Sequence, residues 1–138
     1  MKILITGGCG FIGTNLVKSV LKEWSSDKLE VKVLDNFSTG FKENMVDDSH
    51  VEYHEFDVAD YFFDNRLNDI LGDWRPDTIY HLAALARIQP SFTEPKNTFA
   101  ANTIGTQNIL EWARVNGNIQ VVYAGSSSSH GDIYANPY

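Results

Sequence analysis

With 138 residues and 43% hydrophobic content, the chain is long enough for one domain with a real core. Its net charge of −7 argues against a nucleic-acid binder, which needs a basic patch to neutralise phosphates, but leaves room for an anionic ligand held by backbone N–H groups. A single cysteine, Cys9, excludes an internal disulfide and suggests no metal site; no apolar run reaches membrane-spanning length and no signal-peptide pattern leads the chain, so the expected setting is the cytoplasm, without a membrane.

Lys2 to Thr6 reads as a short buried strand. Leu16, Val17, Val20 and Leu21 recur at helical spacing and predict a helix from Phe11 to Trp24. Between them lies TGGCGFIG, Thr6 to Gly13, with four glycines in eight residues. Glycine there lets the backbone take φ > 0 and lets another surface approach closely. The first turn of a helix presents unpaired N–H groups and a partial positive charge, so this junction suits a phosphate. Gly8-x-Gly10-x-x-Gly13 matches the dinucleotide fingerprint, and Gly7, Gly10 and Gly13 match its wider-spaced form. A tight strand–helix turn without a ligand accounts for the same residues. Cys9, inside the turn, reads as packing rather than as a reactive thiol.

Glu30 to Leu34 is the second predicted strand. A polar turn, Asp35 to Gly40, and a short helix to about Val46 follow. Val51 to Phe56 is the third strand, and Tyr61 to Leu71 has helical spacing that ends at Gly72. After the turn Arg75-Pro76-Asp77, Thr78 to Leu82 is the fourth strand. Pro90 and Pro95 punctuate a loop and a helix start. A long helix is predicted over Thr98 to Val115, burying Phe99, Ala100, Thr103, Ile104, Ile109, Leu110 and Ala113, and Asn116-Gly117-Asn118 stops it. Ile119 to Ala124 is the fifth strand, followed by Gly125 and four serines. Trp24, Trp74 and Trp112 read as core or packing residues. This alternation predicts an α/β fold, a doubly wound parallel sheet of order 3-2-1-4-5 with helices on both faces.

Ligands of such sheets bind beyond the carboxyl ends of the strands, which directs attention to the strand-ending residues. Asp35 lies 22 residues after Gly13, where an acid can hold ribose hydroxyls and repel a 2′-phosphate, favouring NAD over NADP. Asp35-Asn36 is also a turn-forming pair. Asp57 could hydrogen-bond adenine while Val58 packs on it; a helix N-cap by Asp57 or Asp60 is the other reading. Leu82, Ala83 and Ala84 are small enough to let a flat cofactor pass, or to let the fourth strand pack on the first helix. His81 at a strand end reads as structural rather than catalytic. In the serine run from Ser126 to Ser129, a hydroxyl could polarise a carbonyl oxygen, or the run is a polar loop.

Taken together, these residues resemble the extended short-chain dehydrogenase/reductase superfamily and, within it, the NAD-dependent nucleotide-sugar epimerase/dehydratase family, most closely its UDP-glucose 4-epimerase-like members. Thr6 to Gly13 looks like TGGxGFIG, and Leu34 to Gly40 like LDNxSTG. Asp57-Val58 looks like the adenine-contacting pair, and His81 to Ala84 like HLAA. Asn102 to Asn108 looks like NxxGTxN, and Val121 to Gly131 like YASSSxxYG. The resemblance implies a Rossmann fold over residues 1–138, the NAD-binding N-terminal part of a longer enzyme whose last strands and sugar-binding domain lie beyond it. It implies NAD contacts from Gly7, Gly10, Phe11, Ile12, Gly13, Asp35, Asn36, Phe37, Ser38, Thr39, Gly40, Asp57, Val58, Leu82, Ala83, Ala84 and Asn102.

For catalysis, the resemblance places the family's Ser or Thr at Ser126 and its tyrosine at Tyr138, with Tyr134 a minor rival. The family's lysine would fall at position 142, beyond Tyr138, so this chain alone is expected to be inactive or very poor. The family's dehydratases carry an Asp-Glu pair where this chain has Ser127 and Ser128, which favours epimerisation of a nucleotide sugar by transient oxidation and re-reduction. His130 and Gly125 depart from the usual Tyr and Ser. The other readings are a net NAD-dependent reductase or oxidase of the superfamily, and a truncated module that binds NAD without turnover. A homodimer through the long helix is a further expectation.

Overall fold

A computed structural model describes residues 1–24, 28–60 and 62–126. Five strands, β1 (Lys2–Thr6), β2 (Glu30–Asp35), β3 (Val51–Glu55), β4 (Thr78–His81) and β5 (Gln120–Tyr123), form one sheet in the order β3-β2-β1-β4-β5. Every pairing is parallel. This is the doubly wound order that the alternating pattern predicts, with the switch point between β1 and β4.

The helices are α1 (Phe11–Glu23), α2 (Phe63–Leu71), α3 (Ile88–Thr93), α4 (Pro95–Phe99) and α5 (Gly105–Val115). Side chains of a strand alternate between faces, so a strand covered on both sides must be apolar throughout. In β1, Ile3 and Ile5 join Val17 and Val20 of α1 on one face. Leu4 points to the other face and joins Phe63, Leu67 and Leu71 of α2 and Ile109, Trp112 and Ala113 of α5. No helix among the described residues is long and apolar enough to cross a membrane.

The chain departs from the expected long helix. Glu94 leaves helical geometry at φ −131°, and Pro95 starts α4 at its first position, where its missing N–H costs nothing. A π-helical turn, Ala100–Ile104, then separates α4 from α5. A π turn adds a residue and rotates the helix face by roughly a third of a turn. The buried residues of α5 are accordingly Gly105, Ile109, Trp112 and Ala113, while Phe99, Thr103 and Leu110, expected to be buried, are exposed. Gly105 permits the packing: a Cβ there would lie 2.6 Å from a Val58 methyl. Trp112 is fully buried and Trp74 packs against the same core, but Trp24 caps the end of α1 in an exposed position. The short helix after Gly40 is a single 3-10 turn, Lys42–Asn44.

Candidate functional site

A cleft of about 780 Å³ opens at the carboxyl ends of the strands, and residues following all five strands line it. Its floor is the glycine turn. Gly7 has φ +71°, and a Cβ on it would meet the Ala83 nitrogen at 2.7 Å. A Cβ on Gly13 would lie 2.2 Å from the Gly7 carbonyl oxygen and 2.5 Å from Gly8 Cα. These glycines let the end of β1 pass between β4 and the start of α1. Gly10 is the N-cap of α1; among the described residues no side chain caps that end, and no acidic residue stands in its first turn. The helix therefore turns its orphan N–H groups and positive end towards the cleft without a side-chain acceptor of its own. Phe11 and Ile12, 85% and 65% exposed, line the same opening.

Asp35 closes β2 and is buried. One carboxylate oxygen accepts the Cys9 N–H at 2.8 Å and the other the Phe37 N–H at 2.8 Å. Each oxygen keeps a lone pair, and Asp35 lines the cleft. The carboxylate thus ties the glycine turn to the loop after β2 while leaving acceptor capacity for a diol. The same loop is pinned from Cys9, whose carbonyl accepts from Asn44 Nδ2 at 2.8 Å and from the Phe41 N–H at 3.4 Å. Asn36 accepts the Ser38 N–H at 3.0 Å, and Asn36, Ser38, Thr39 and Gly40 line the cleft. Phe37, at φ 54°, is not among the lining residues; its ring lies 4.9 Å from Lys42 Nζ. Burial, and then the Asp35 charge, push the Cys9 thiol up to about 11, so it stays protonated near neutral pH.

On the adjoining wall, Asp57 is exposed and accepts the Ala59 N–H at 2.8 Å, while Val58 is buried against Gly105. Asn108 Nδ2 holds the Val58 carbonyl at 2.8 Å. Both Asp57 and Val58 line the cleft. Across from them, Leu82, Ala83 and Ala84 form the wall after β4, continued by Leu85 and Ala86. Asn102, in the π turn, grips Leu85 through both amide atoms: Oδ1 accepts its N–H at 2.7 Å and Nδ2 donates to its carbonyl at 3.0 Å. Ser126 lies at the mouth beyond β5, lining the cleft and exposed. Tyr138, Tyr134, Ser127 and Ser128 lie outside the described residues.

Thr6 and Thr106, to which the sequence assigns no individual role, stand on either side of His81. His81 Nδ1 is 2.7 Å from Thr6 Oγ1, and Nε2 is 3.0 Å from Thr106 Oγ1. Its members come from β1, the end of β4 and α5 and fall in three separate motifs, so no single motif shows that they meet. Burial drives the His81 pKa down to about 4. An unfolded histidine takes its proton near 6.5. Between these values unfolding is accompanied by proton uptake, so the stabilisation from neutral His81 is whole above about pH 6.5 and is lost as pH falls towards 4. Its size is up to about 3 kcal/mol. Urea midpoints measured from pH 7 to 4 should fall across that window, and His81→Gln should flatten the fall.

Comparisons with known proteins agree with this architecture. A family model described as GDP-mannose 4,6 dehydratase matches residues 4–138. The UDP-glucose 4-epimerase of Mycolicibacterium smegmatis is 35% identical over 137 residues, which is 99% of this chain and 41% of that protein. The CDP-paratose 2-epimerase of Salmonella typhi is 34% identical over 96% of this chain and 39% of its own length. Among solved structures, the Thermus thermophilus UDP-glucose 4-epimerase in complex with NAD superimposes with a TM-score of 0.76 at 35% identity, covering 91% of this chain and 38% of that one. The chain spans about two fifths of the length of the curated relatives it matches. Matched over nearly all its residues, the chain belongs to the nucleotide-sugar epimerase/dehydratase family, the family of GDP-mannose 4,6 dehydratase.

Proposed function

We propose that residues 1–138 are the NAD-binding domain of an enzyme that epimerises a nucleotide-activated sugar. The observation that carries this reading is the pairing, in one cleft, of an uncapped glycine-lined helix start with a buried carboxylate that keeps free lone pairs. The first suits a pyrophosphate and the second an adenosine ribose diol. The two relatives above are named as epimerases, others as dTDP-glucose 4,6-dehydratases, and one solved structure is a complex with NAD.

The residues present fit the cofactor. Gly7 and Gly13, where a Cβ would strike backbone, bring the start of α1 close against the strand ends, and the N-cap there makes no side-chain cap bond. Gly7, Gly10, Phe11, Ile12 and Gly13 would surround the pyrophosphate. Asp35, with Asn36, Ser38, Thr39 and Gly40, would hold the ribose and exclude a 2′-phosphate. Asp57 and Val58 would flank the adenine, and Leu82, Ala83, Ala84 and Asn102 the nicotinamide half. Bound there, NAD would supply a reversible hydride acceptor for a sugar carbon. Ser126 hydrogen-bonds the reacting sugar oxygen and Tyr138 takes its proton. The match to a dehydratase model favours water elimination as a second reading. Against it stand Ser127 and Ser128, whose hydroxyls replace the carboxylates such chemistry uses. A homodimer belongs to the same reading, through the α4–α5 face where Phe99 and Leu110 are 58% and 49% exposed.

The test is calorimetric titration with NAD and NADP. NAD should bind and NADP should bind at least about tenfold more weakly, as expected for a carboxylate facing a phosphate. Equal affinity, or no binding of NAD, would overturn the cofactor assignment. For the longer enzyme, interconversion of two nucleotide sugars without net NADH would support epimerisation. Loss of water from the sugar would support the dehydratase reading, and accumulating NADH a net oxidation.

A further inference from the structure

The wall of the cleft from Leu82 to Ala86 has no regular secondary structure and no polar side chain with which to anchor itself. Its methyl groups suit close approach of a flat ligand, so its backbone must be held from behind. The Leu82 N–H donates to the Thr6 carbonyl at 3.1 Å, and three further hydrogen bonds involve side chains. The Ala83 N–H donates to Thr6 Oγ1 at 3.2 Å, and Asn102 takes both the N–H and the carbonyl of Leu85. Between Thr6 and Asn102 stand His81 and Thr106, and the positions of the protons along this path can be worked out.

Thr106 Oγ1 lies 2.8 Å from the Asn102 carbonyl oxygen. Two oxygens so close need a proton between them, and only the hydroxyl has one. Thr106 therefore has no proton left for His81, and Nε2, 3.0 Å away, must be the donor. His81 is 3% exposed and has no ion-pair partner among the described residues, and burial keeps the ring neutral. Nδ1 is then bare and accepts from the Thr6 hydroxyl at 2.7 Å. Thr6, its proton so committed, is free to accept the Ala83 N–H. Every bond in the path points one way: Ala83 N–H to Thr6, Thr6 to His81, His81 to Thr106, Thr106 to Asn102.

We propose that His81 is a positioning residue whose neutral Nε2–H tautomer orients this chain of hydrogen bonds and so fixes the Ala83–Leu85 wall against the cofactor. The proposal rests on the cofactor reading of the cleft. The imidazole does not touch the reacting atoms in this role. It sets the direction of the bonds at Thr6 and Thr106, and these place the wall. The other tautomer would set the Nε2 lone pair against the Thr106 oxygen and compel Thr6 to accept from the ring.

Three readouts on the 138-residue chain test it: the imidazole nitrogen shifts of His81, the amide exchange of Ala83 and Leu85, and NAD titration. The wild type should show a bare Nδ1 and a protonated Nε2, unchanged from pH 8 to 5, and protected amides at both positions. Thr6 is fully buried and is not among the residues lining the cleft, so Thr6→Val alters the cofactor's surroundings only through the wall. In that variant the Ala83 amide should exchange at least about tenfold faster, and NAD should bind about tenfold more weakly, the size of one lost buried hydrogen bond. Thr6→Ser should restore both. Should Thr6→Val fail to fold, Thr106→Val, at a half-buried position that itself lines the cleft, is read by the His81 nitrogen shifts and the amide exchange rather than by NAD affinity.

An Nδ1–H tautomer in the wild type would overturn the proposal. So would a variant whose Ala83 amide loses protection while its folded fraction binds NAD as the wild type does; that result would make the network a stabilising feature alone. A wild type that binds no NAD would instead defeat the cofactor reading, and the tautomer and the amide exchange would still decide whether His81 orients the wall.

Discussion

Gly13→Ala is expected to abolish NAD binding and to destabilise the fold by at least about 3 kcal/mol, at the upper end of what overpacking costs. The added methyl would lie 2.2 Å from the Gly7 carbonyl oxygen, 2.5 Å from Gly8 Cα and 2.9 Å from the Gly8 carbonyl carbon. All three are backbone atoms of the turn that joins β1 to α1. No side chain can rotate away, so either α1 moves off the sheet or the turn opens. Gly10→Ala is the control: its Cβ would meet only the Gly7 oxygen, at 3.4 Å. That variant should fold with a thermal midpoint near the wild type and lose affinity alone. Circular dichroism melts beside NAD titrations separate the two. A Gly13→Ala chain that melts and binds like the wild type would mean that the turn is looser than its contacts require.

Asp35→Ala should lower NAD affinity by about a hundredfold and stability by about 2–4 kcal/mol. The carboxylate accepts two backbone N–H groups, from Cys9 and Phe37, at a buried position. Hydrogen bonds to a charged acceptor contribute about 1.5–3 kcal/mol each, and removing the acceptor leaves both donors without a partner. The ribose hydroxyls lose the same acceptor, which accounts for the change in affinity. Asp35→Asn is the sharper variant. It keeps the volume but turns one acceptor into a donor, so an NH₂ must face one of the two N–H groups. It should lose stability like the alanine variant, and its discrimination against NADP should shrink because the negative charge is gone. Unfolding in urea and paired titrations with NAD and NADP would check this. Unchanged coenzyme preference in Asp35→Asn would remove the charge from the account of specificity.

The fold was legible because its signals are local. Ile3 to Ile5, the β-branched runs of β2 and the helical spacing of Leu16 to Leu21 each carry their own period, and alternation of strand and helix leaves few topologies. The glycine turn and Asp35 were legible for a related reason. Each stands at a fixed distance along the chain from the other, so their roles can be inferred by counting residues. The face of the last helix was not legible. A π turn at Ala100–Ile104 breaks the 3.6-residue period on which that inference relied, and Phe99, Thr103 and Leu110 came out on the exposed side.

The sequence alone determined the doubly wound sheet, the glycine-lined helix start and the acid beside it, since these depend on short-range pattern and backbone sterics. Only the tertiary structure decided how the wall opposite them is held. Thr6, His81, Asn102 and Thr106 lie up to a hundred residues apart. What joins them is the register of β1 beside β4 and the packing of α5 behind both. Hydrogen-bond direction depends on which groups meet at about 3 Å, and in a parallel sheet the crossovers, not the neighbouring residues, decide who meets.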